Sequence, residues 1–166
     1  NDGRMGYVLR SVHSGTIWLF AYSHYGKPLW KIDTGLPAQG GWDKGMLHCP
    51  FLCWDVNGDG RTEVAFHSLK AGSSGDRYER EHQGEFLTVV DSETGDLVWE
   101  APWPGVKSRV MMTVGHLHGM DQPASLVVLD GTYASDGHVV LTAVDGKTSK
   151  TQWRIEQARP AGHNLD

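Results

Sequence analysis

Short runs of apolar residues recur along the chain at Tyr7–Val12, Thr16–Tyr22, Phe51–Trp54, Glu63–Phe66, Phe86–Val90, Leu126–Leu129 and Val139–Val144. They are rich in β-branched and aromatic residues, and Gly, Asp, Ser or Asn bounds each of them. Runs of this length and composition are strands. No window sustains apolar residues at helical spacing, so the pattern predicts an all-β protein.

The runs repeat. Ile17–Tyr22 leads through Gly26 to Trp30, Phe86–Asp91 leads through Thr94-Gly95 to Trp99, and Val140–Asp145 leads through Thr148-Ser149 to Trp153. The shared template is a strand, a D-x-x-T-G turn and a second strand carrying Trp. Tyr22 stands for the Asp in the first copy, and Ser149 for the Gly in the third. Two further strands precede each copy, so the unit is a four-stranded antiparallel blade of a β-propeller. Blade one runs from Asn1 to about Leu36 and lacks its first strand. Blade two runs from about Met46 to Pro102, blade three from about Lys107 to Gln157, and Ala161–Asp166 opens a fourth. Propellers close with about four to eight blades. Three blades are therefore expected to be part of a larger ring, with the remaining blades as their partners.

Composition narrows the function. In 166 residues, 39% are hydrophobic and 21% charged, with mean hydropathy −0.39. A disordered chain would be less apolar, and no apolar stretch is long enough for a membrane helix. A net charge of −5 and a pI near 6.0 argue against nucleic acid as a partner, since that needs a basic face. Two cysteines exclude a disulfide scaffold and a four-thiolate zinc site. Cys49 and Cys53, four apart on a strand, lie too far from each other to be bridged without a bend. His116 and His118, two apart, are expected to face the same way on a strand, but no third metal ligand accompanies them.

One loop carries clear chemistry. Asp55-Val56-Asn57-Gly58-Asp59-Gly60-Arg61-Thr62-Glu63 joins the first two strands of blade two. Oxygen side chains stand at Asp55, Asn57, Asp59 and Glu63, Arg61 adds a main-chain carbonyl, and Gly60 permits the sharp turn. Calcium takes six to eight such oxygens. The loop predicts a structural calcium site between strands. Asn1-Asp2-Gly3-Arg4 and Asp121 are remnants of the same loop in the other blades.

In a propeller the loop between strands one and two lies on the opposite face from the loops that join strand two to three and blade to blade. Catalytic or binding chemistry is expected on that second face. Blade connections and first-strand starts place His48, Arg109 and His163 there. Second-strand ends place Arg10 and His67, and the following loops place Lys70, Arg77, Tyr78, Arg80 and Tyr133. Cationic and proton-transferring groups concentrated in an acidic chain suit an anionic substrate and acid–base work.

The segments Tyr25–Ile32, Phe51–Ala65, Glu85–Val90 and Gly162–Leu165, in this order and spacing, resemble the propeller of rhamnogalacturonan lyases. Propeller-type ulvan lyases look like relatives, and His67 resembles them more closely, because rhamnogalacturonan lyases usually carry Lys there. The resemblance implies a calcium-containing bacterial enzyme, extracellular or periplasmic, that cleaves an acidic uronate–rhamnose polysaccharide by β-elimination. Arg109, Arg10 or Lys70 would neutralise the uronate carboxylate, with His163 as a further substrate contact. His48 or His67 would act as base, and Tyr133 as acid or base. Two other classes share parts of the pattern. Non-catalytic calcium propellers of the integrin or FG-GAP kind share the loop, and quinoprotein propellers share the D-x-x-T-G-x-x-x-W motif. The latter usually place adjacent cysteines and a metal at the quinone, and neither appears in this sequence.

Overall fold

A computed structural model describes residues 6–38, 49–70, 84–105, 109–131 and 138–158, with the main chain alone at 109, 131, 138 and 158. The described residues form three antiparallel meanders. The first sheet has the order β1 (Tyr7–His13), β2 (Thr16–Tyr22), β3 (Pro28–Pro37). The second has β4 (Phe51–Trp54), β5 (Glu63–Leu69), β6 (Glu85–Asp91), β7 (Leu97–Pro102). The third has β8 (Arg109–Gly115), β9 (Ser125–Gly131), β10 (His138–Asp145), β11 (Thr151–Ala158). The fold is a partial β-propeller: one sheet of three strands and two of four.

The repeat is exact in register. Trp30 pairs with Ala21, Trp99 with Val89 and Trp153 with Ala143, and in each sheet the register shifts directly after that partner. The bulge bends the outer strand at the tryptophan. Two of the indoles then reach the next sheet. Trp30 Nε1 donates to the Ser92 carbonyl at 2.9 Å, and Trp99 Nε1 to the Gly146 carbonyl at 2.8 Å. Ser92 and Gly146 each follow the Asp of a D-x-x-T turn.

That Asp organises its turn. Asp91 Oδ1 accepts the N–H groups of Glu93 and Thr94 at 2.8 and 2.9 Å. Asp145 Oδ1 accepts those of Lys147 and Thr148 at 3.2 and 2.7 Å. Partial burial pushes both carboxyls up, but these N–H groups outweigh it, joined by Arg61 at Asp91 and by the Thr148 hydroxyl and Gln152 at Asp145. Both carboxyls lie below the ordinary aspartate range.

Apolar side chains fill the two seams. Leu19, Val64, Phe66 and Val90 are buried between the first and second sheets, with Val8, Trp30, Ile32 and Phe51 packed on them. Ala65, Leu87, Val89, Trp103, Val110, Leu126, Val128 and Val144 belong to the larger cluster between the second and third. Each fully buried Leu, Val or Phe stabilises by roughly 1.5–3 kcal/mol relative to exposure, so the seams carry most of the fold's stability. A small cluster of Ile17, Leu36 and Cys49 closes the far end of the first seam.

The last turn position has positive φ in all three repeats: 77° at Gly26, 76° at Gly95 and 60° at Ser149. A side chain there costs about 1–2 kcal/mol. Ser149→Gly is therefore expected to raise stability by about 1 kcal/mol. Gly95→Ala should lower it by more than that, because its Cβ would stand 2.9 Å from Trp30 Cγ. Melting curves of the two variants check both signs. The acid limb offers a second check. Carboxyls held below their ordinary range stabilise the fold at neutral pH, and this contribution is lost as pH falls through the depressed values. Replacing Asp91 and Asp145 by Asn should lower stability at pH 7 and flatten its loss on acidification.

Candidate functional site

The two ends of the sheets differ in chemistry. At the end bearing the D-x-x-T turns lies the β4–β5 loop. Asp55 is its hub: Oδ1 accepts the N–H groups of Gly58 and Asp59 at 2.8 and 3.1 Å, and Oδ2 that of Gly60 at 2.9 Å. Asn57 Oδ1 accepts the Asp59 N–H at 2.8 Å, and Asp59 Oδ1 the Arg61 N–H at 2.8 Å. Gly58 and Gly60 take φ of 79° and 86°, which lets the chain coil around Asp55. Glu63, 2% exposed, closes the loop by accepting the Val56 N–H at 2.9 Å. Burial raises the Glu63 carboxyl above the glutamate range, and the charges of Asp59 and Asp55 push the same way, against the N–H groups of Val56 and Asn57. The Arg61 side chain is spent on Asp91.

Three carboxylates, an amide and a main-chain carbonyl on one turn are hard oxygen donors of the kind calcium takes, so the residues fit that ion in chemical type. Among the described residues no three His, Cys, Asp or Glu side chains gather around one point, and the loop's own N–H groups occupy its carboxylates. His116 and His118 lie in the loop after β8, which ends at Gly115, and not on a strand. His116 Nδ1 lies 3.2 Å from the Gln122 carbonyl.

Toward the opposite end, Arg10 stands midway along β1 and His67 inside β5, so neither ends its strand as expected. An Arg10 Nη1–H donates to the Cys49 carbonyl, and Cys49 Sγ lies 3.6 Å from the His67 carbonyl. Arg10 and the His67 main chain thus meet at Cys49. The Cys49 thiol is pushed up to about 12 by burial, against the opposing pull of Arg10 and Thr34, and is inert. Cys49 and Cys53 are both free thiols. Lys70 is exposed, with Nζ 5.1 Å from the Phe86 ring centroid.

His67 is enclosed within the second sheet. It is 5% exposed, its ring stacks on Trp103 at 4.0 Å, and Nε2 lies 3.0 Å from Glu85 Oε2. Trp103 Nε1 donates to Asp130 Oδ2 at 3.2 Å across the second seam. The main chain of Arg109 pairs with Gly131, beside Asp130. Glu85, Trp103 and Asp130 escaped the sequence reading. Their signal is an acid at the edge of an apolar strand, Glu85 before Phe86 and Asp130 after Leu129. His48, Tyr133, His163, Arg77, Tyr78 and Arg80 lie outside the described residues, as does the Arg109 side chain.

Two crystal structures of rhamnogalacturonan lyases match this arrangement. The exotype enzyme YesX superposes with a TM-score of 0.67 and 23% identity over 93% of this chain and 31% of its own. The enzyme YesW gives 0.67 and 23% over 93% and 32%. The chain has the fold of the rhamnogalacturonan lyases. In sequence it is 27% identical to the rhamnogalacturonan endolyase YesW of Bacillus subtilis (strain 168), over 89% of this chain and 27% of that protein. To the exolyase YesX of the same organism it is 25% identical, over 91% and 28%. No protein-family model matches. The chain spans less than a third of the length of these lyases.

We propose calcium as the ligand of the β4–β5 loop. Binding to the folded state alone should stabilise by about 2.7 kcal/mol at a hundredfold excess over the dissociation constant. Melting with calcium and with chelator measures it, and Asp59→Ala should remove the difference. The pH dependence has a definite sign. Without calcium, ionising the raised Glu63 carboxyl costs stability as pH rises through its range. Calcium needs the carboxylate, so its affinity should rise over the same interval. A melting point indifferent to calcium at every pH refutes the assignment.

Proposed function

We propose that the chain is a three-sheet segment of a larger propeller that acts as a polysaccharide lyase, cleaving a uronate–rhamnose polysaccharide by β-elimination outside the cytoplasm. The observation that carries this is the match of all three sheets, over 89–93% of the chain, to an endolyase and an exolyase of rhamnogalacturonan. The larger ring has its own support. Trp153 holds the register place of Trp30 and Trp99, each of which docks on a following sheet, and Ile155 near it is 57% exposed.

β-Elimination moves the C5 proton of the uronate to a base. The C5–H electrons form the C4–C5 double bond, the C4–O bond breaks, and an acid protonates the departing oxygen. Charge develops next to the carboxylate, so a fixed cation there lowers the barrier. Arg10 suits that task, because its guanidinium is half-buried and tethered to the Cys49 carbonyl. Arg109 and Lys70 are the further cations in the proposal, His163 a substrate contact, and His48 and Tyr133 the base and acid. His67, enclosed by Trp103 and Glu85, is better suited to positioning the seam than to meeting substrate. Rhamnogalacturonan and ulvan both carry the required uronate.

The experiment is release of unsaturated uronate ends by the intact protein, from rhamnogalacturonan and from ulvan. Arg10→Ala and Arg109→Ala should each lower turnover by about a hundredfold. His67→Ala should also lower the melting point, since it strips a buried carboxylate of a partner. Failure of the wild type to release unsaturated ends from either polymer overturns the lyase reading in favour of a non-catalytic propeller.

A further inference from the structure

A cleft of about 520 Å³ opens between the β4–β5 loop and the β8–β9 loop, at the end opposite Arg10, His67 and Lys70. Two kinds of surface line it. Trp54, at the end of β4, is 45% exposed, and Met120 across the cleft is 80% exposed. His116 meets the Trp54 ring edge-on, with centroids 6.3 Å apart at 63°, and so braces the indole. Asp121, Gln122 and Lys147 supply the polar lining, together with Asp55 and Asn57 of the calcium-type loop. The loops that hold these groups are fixed to each other: Gly58 packs on Pro123, and the Gly146 N–H donates to the Ala124 carbonyl at 2.9 Å.

We propose that this cleft binds a saccharide, one or a few pyranose units, without acting on it. A pyranose has an apolar face of C–H groups and a rim of hydroxyls that both donate and accept. A braced, half-exposed indole beside a thioether suits the face. A carboxylate, a primary amide and an ammonium suit the rim. Sites of this kind, apolar surface with a few placed polar groups, are the ordinary form of small-molecule pockets. Asp121 accompanies Lys147 among the described lining residues, which disfavours phosphate-rich ligands. Lys147 can meet one sugar carboxylate. The proposal rests on this lining and not on the lyase reading.

The probes are rhamnose, galacturonate and galacturonate–rhamnose oligosaccharides, titrated into the full chain. The indole N–H signals of the protein provide an internal control. Those of Trp30 and Trp99 are bonded to Ser92 and Gly146 and should stay in place. The Trp54 signal, assigned by its loss in Trp54→Phe, should shift on binding. By calorimetry Trp54→Ala should weaken the oligosaccharide about tenfold, the scale of a lost aromatic contact. Lys147→Ala, in an exposed turn, should weaken galacturonate more than rhamnose. A Trp54 signal that no sugar moves overturns the proposal. So does binding that survives both substitutions. Either result leaves the release of unsaturated ends, and so the lyase reading, to its own assay.

Discussion

The hydrogen bond from a tryptophan indole to the turn of the next sheet sets how the described sheets sit against one another. Trp30 reaches the Ser92 carbonyl and Trp99 the Gly146 carbonyl, at one register position in successive repeats. A fixed donor on a bulged outer strand and a fixed acceptor after a turn aspartate hold each sheet to its neighbour. The apolar seams supply the energy, but they are non-directional. The indole bond supplies the direction. The turn must then be rigid, which explains why Asp91 and Asp145 spend their carboxylates on their own turns' N–H groups.

This constraint separates the two ends of the sheets. The turns that receive tryptophan share an end with the β4–β5 loop, and that loop is tied into the same scaffold. Arg61 bonds to Asp91 of the turn, and a side chain at Gly146 would collide with the Val56 carbonyl. Rigidity at this end suits an ion site or a preformed cleft. At the opposite end the described cations are Arg10 and Lys70, which the proposed function assigns to an anionic substrate. His67 sits between the two regimes: its main chain touches the Cys49–Arg10 corner, while its ring is locked into the second seam.

The likeness to rhamnogalacturonan lyases covers nearly all of this chain but less than a third of theirs. The seams set the spacing of the groups that the proposed function places on one arc of such a ring. Arg10 on the first sheet and Glu85 on the second reach the same end through different strands, which no local stretch of sequence could arrange.

The sequence by itself determined the strands, the repeat and the calcium-type loop. Each of these is local: period two, a D-x-x-T-G turn before a tryptophan, and oxygen donors spaced along nine residues. The register bulge at Trp30, Trp99 and Trp153 follows from the same repeat. Local pattern also predicted that Cys49 and Cys53 are not bridged. Only the tertiary structure decided burial at the seams. His67 reads in sequence as a strand end, but it lies inside β5, where Glu85 of β6 and Trp103 after β7 enclose it. Asp130 follows the apolar run Leu126–Leu129, and packing of the third sheet on the second brings it to the Trp103 indole. His116 reads as a strand residue, and the end of β8 at Gly115 leaves it in a loop, bracing Trp54 of the neighbouring sheet. Partners across a seam are far apart in sequence. Periodicity reports which face of a strand is apolar, but not which side chain will stand opposite it.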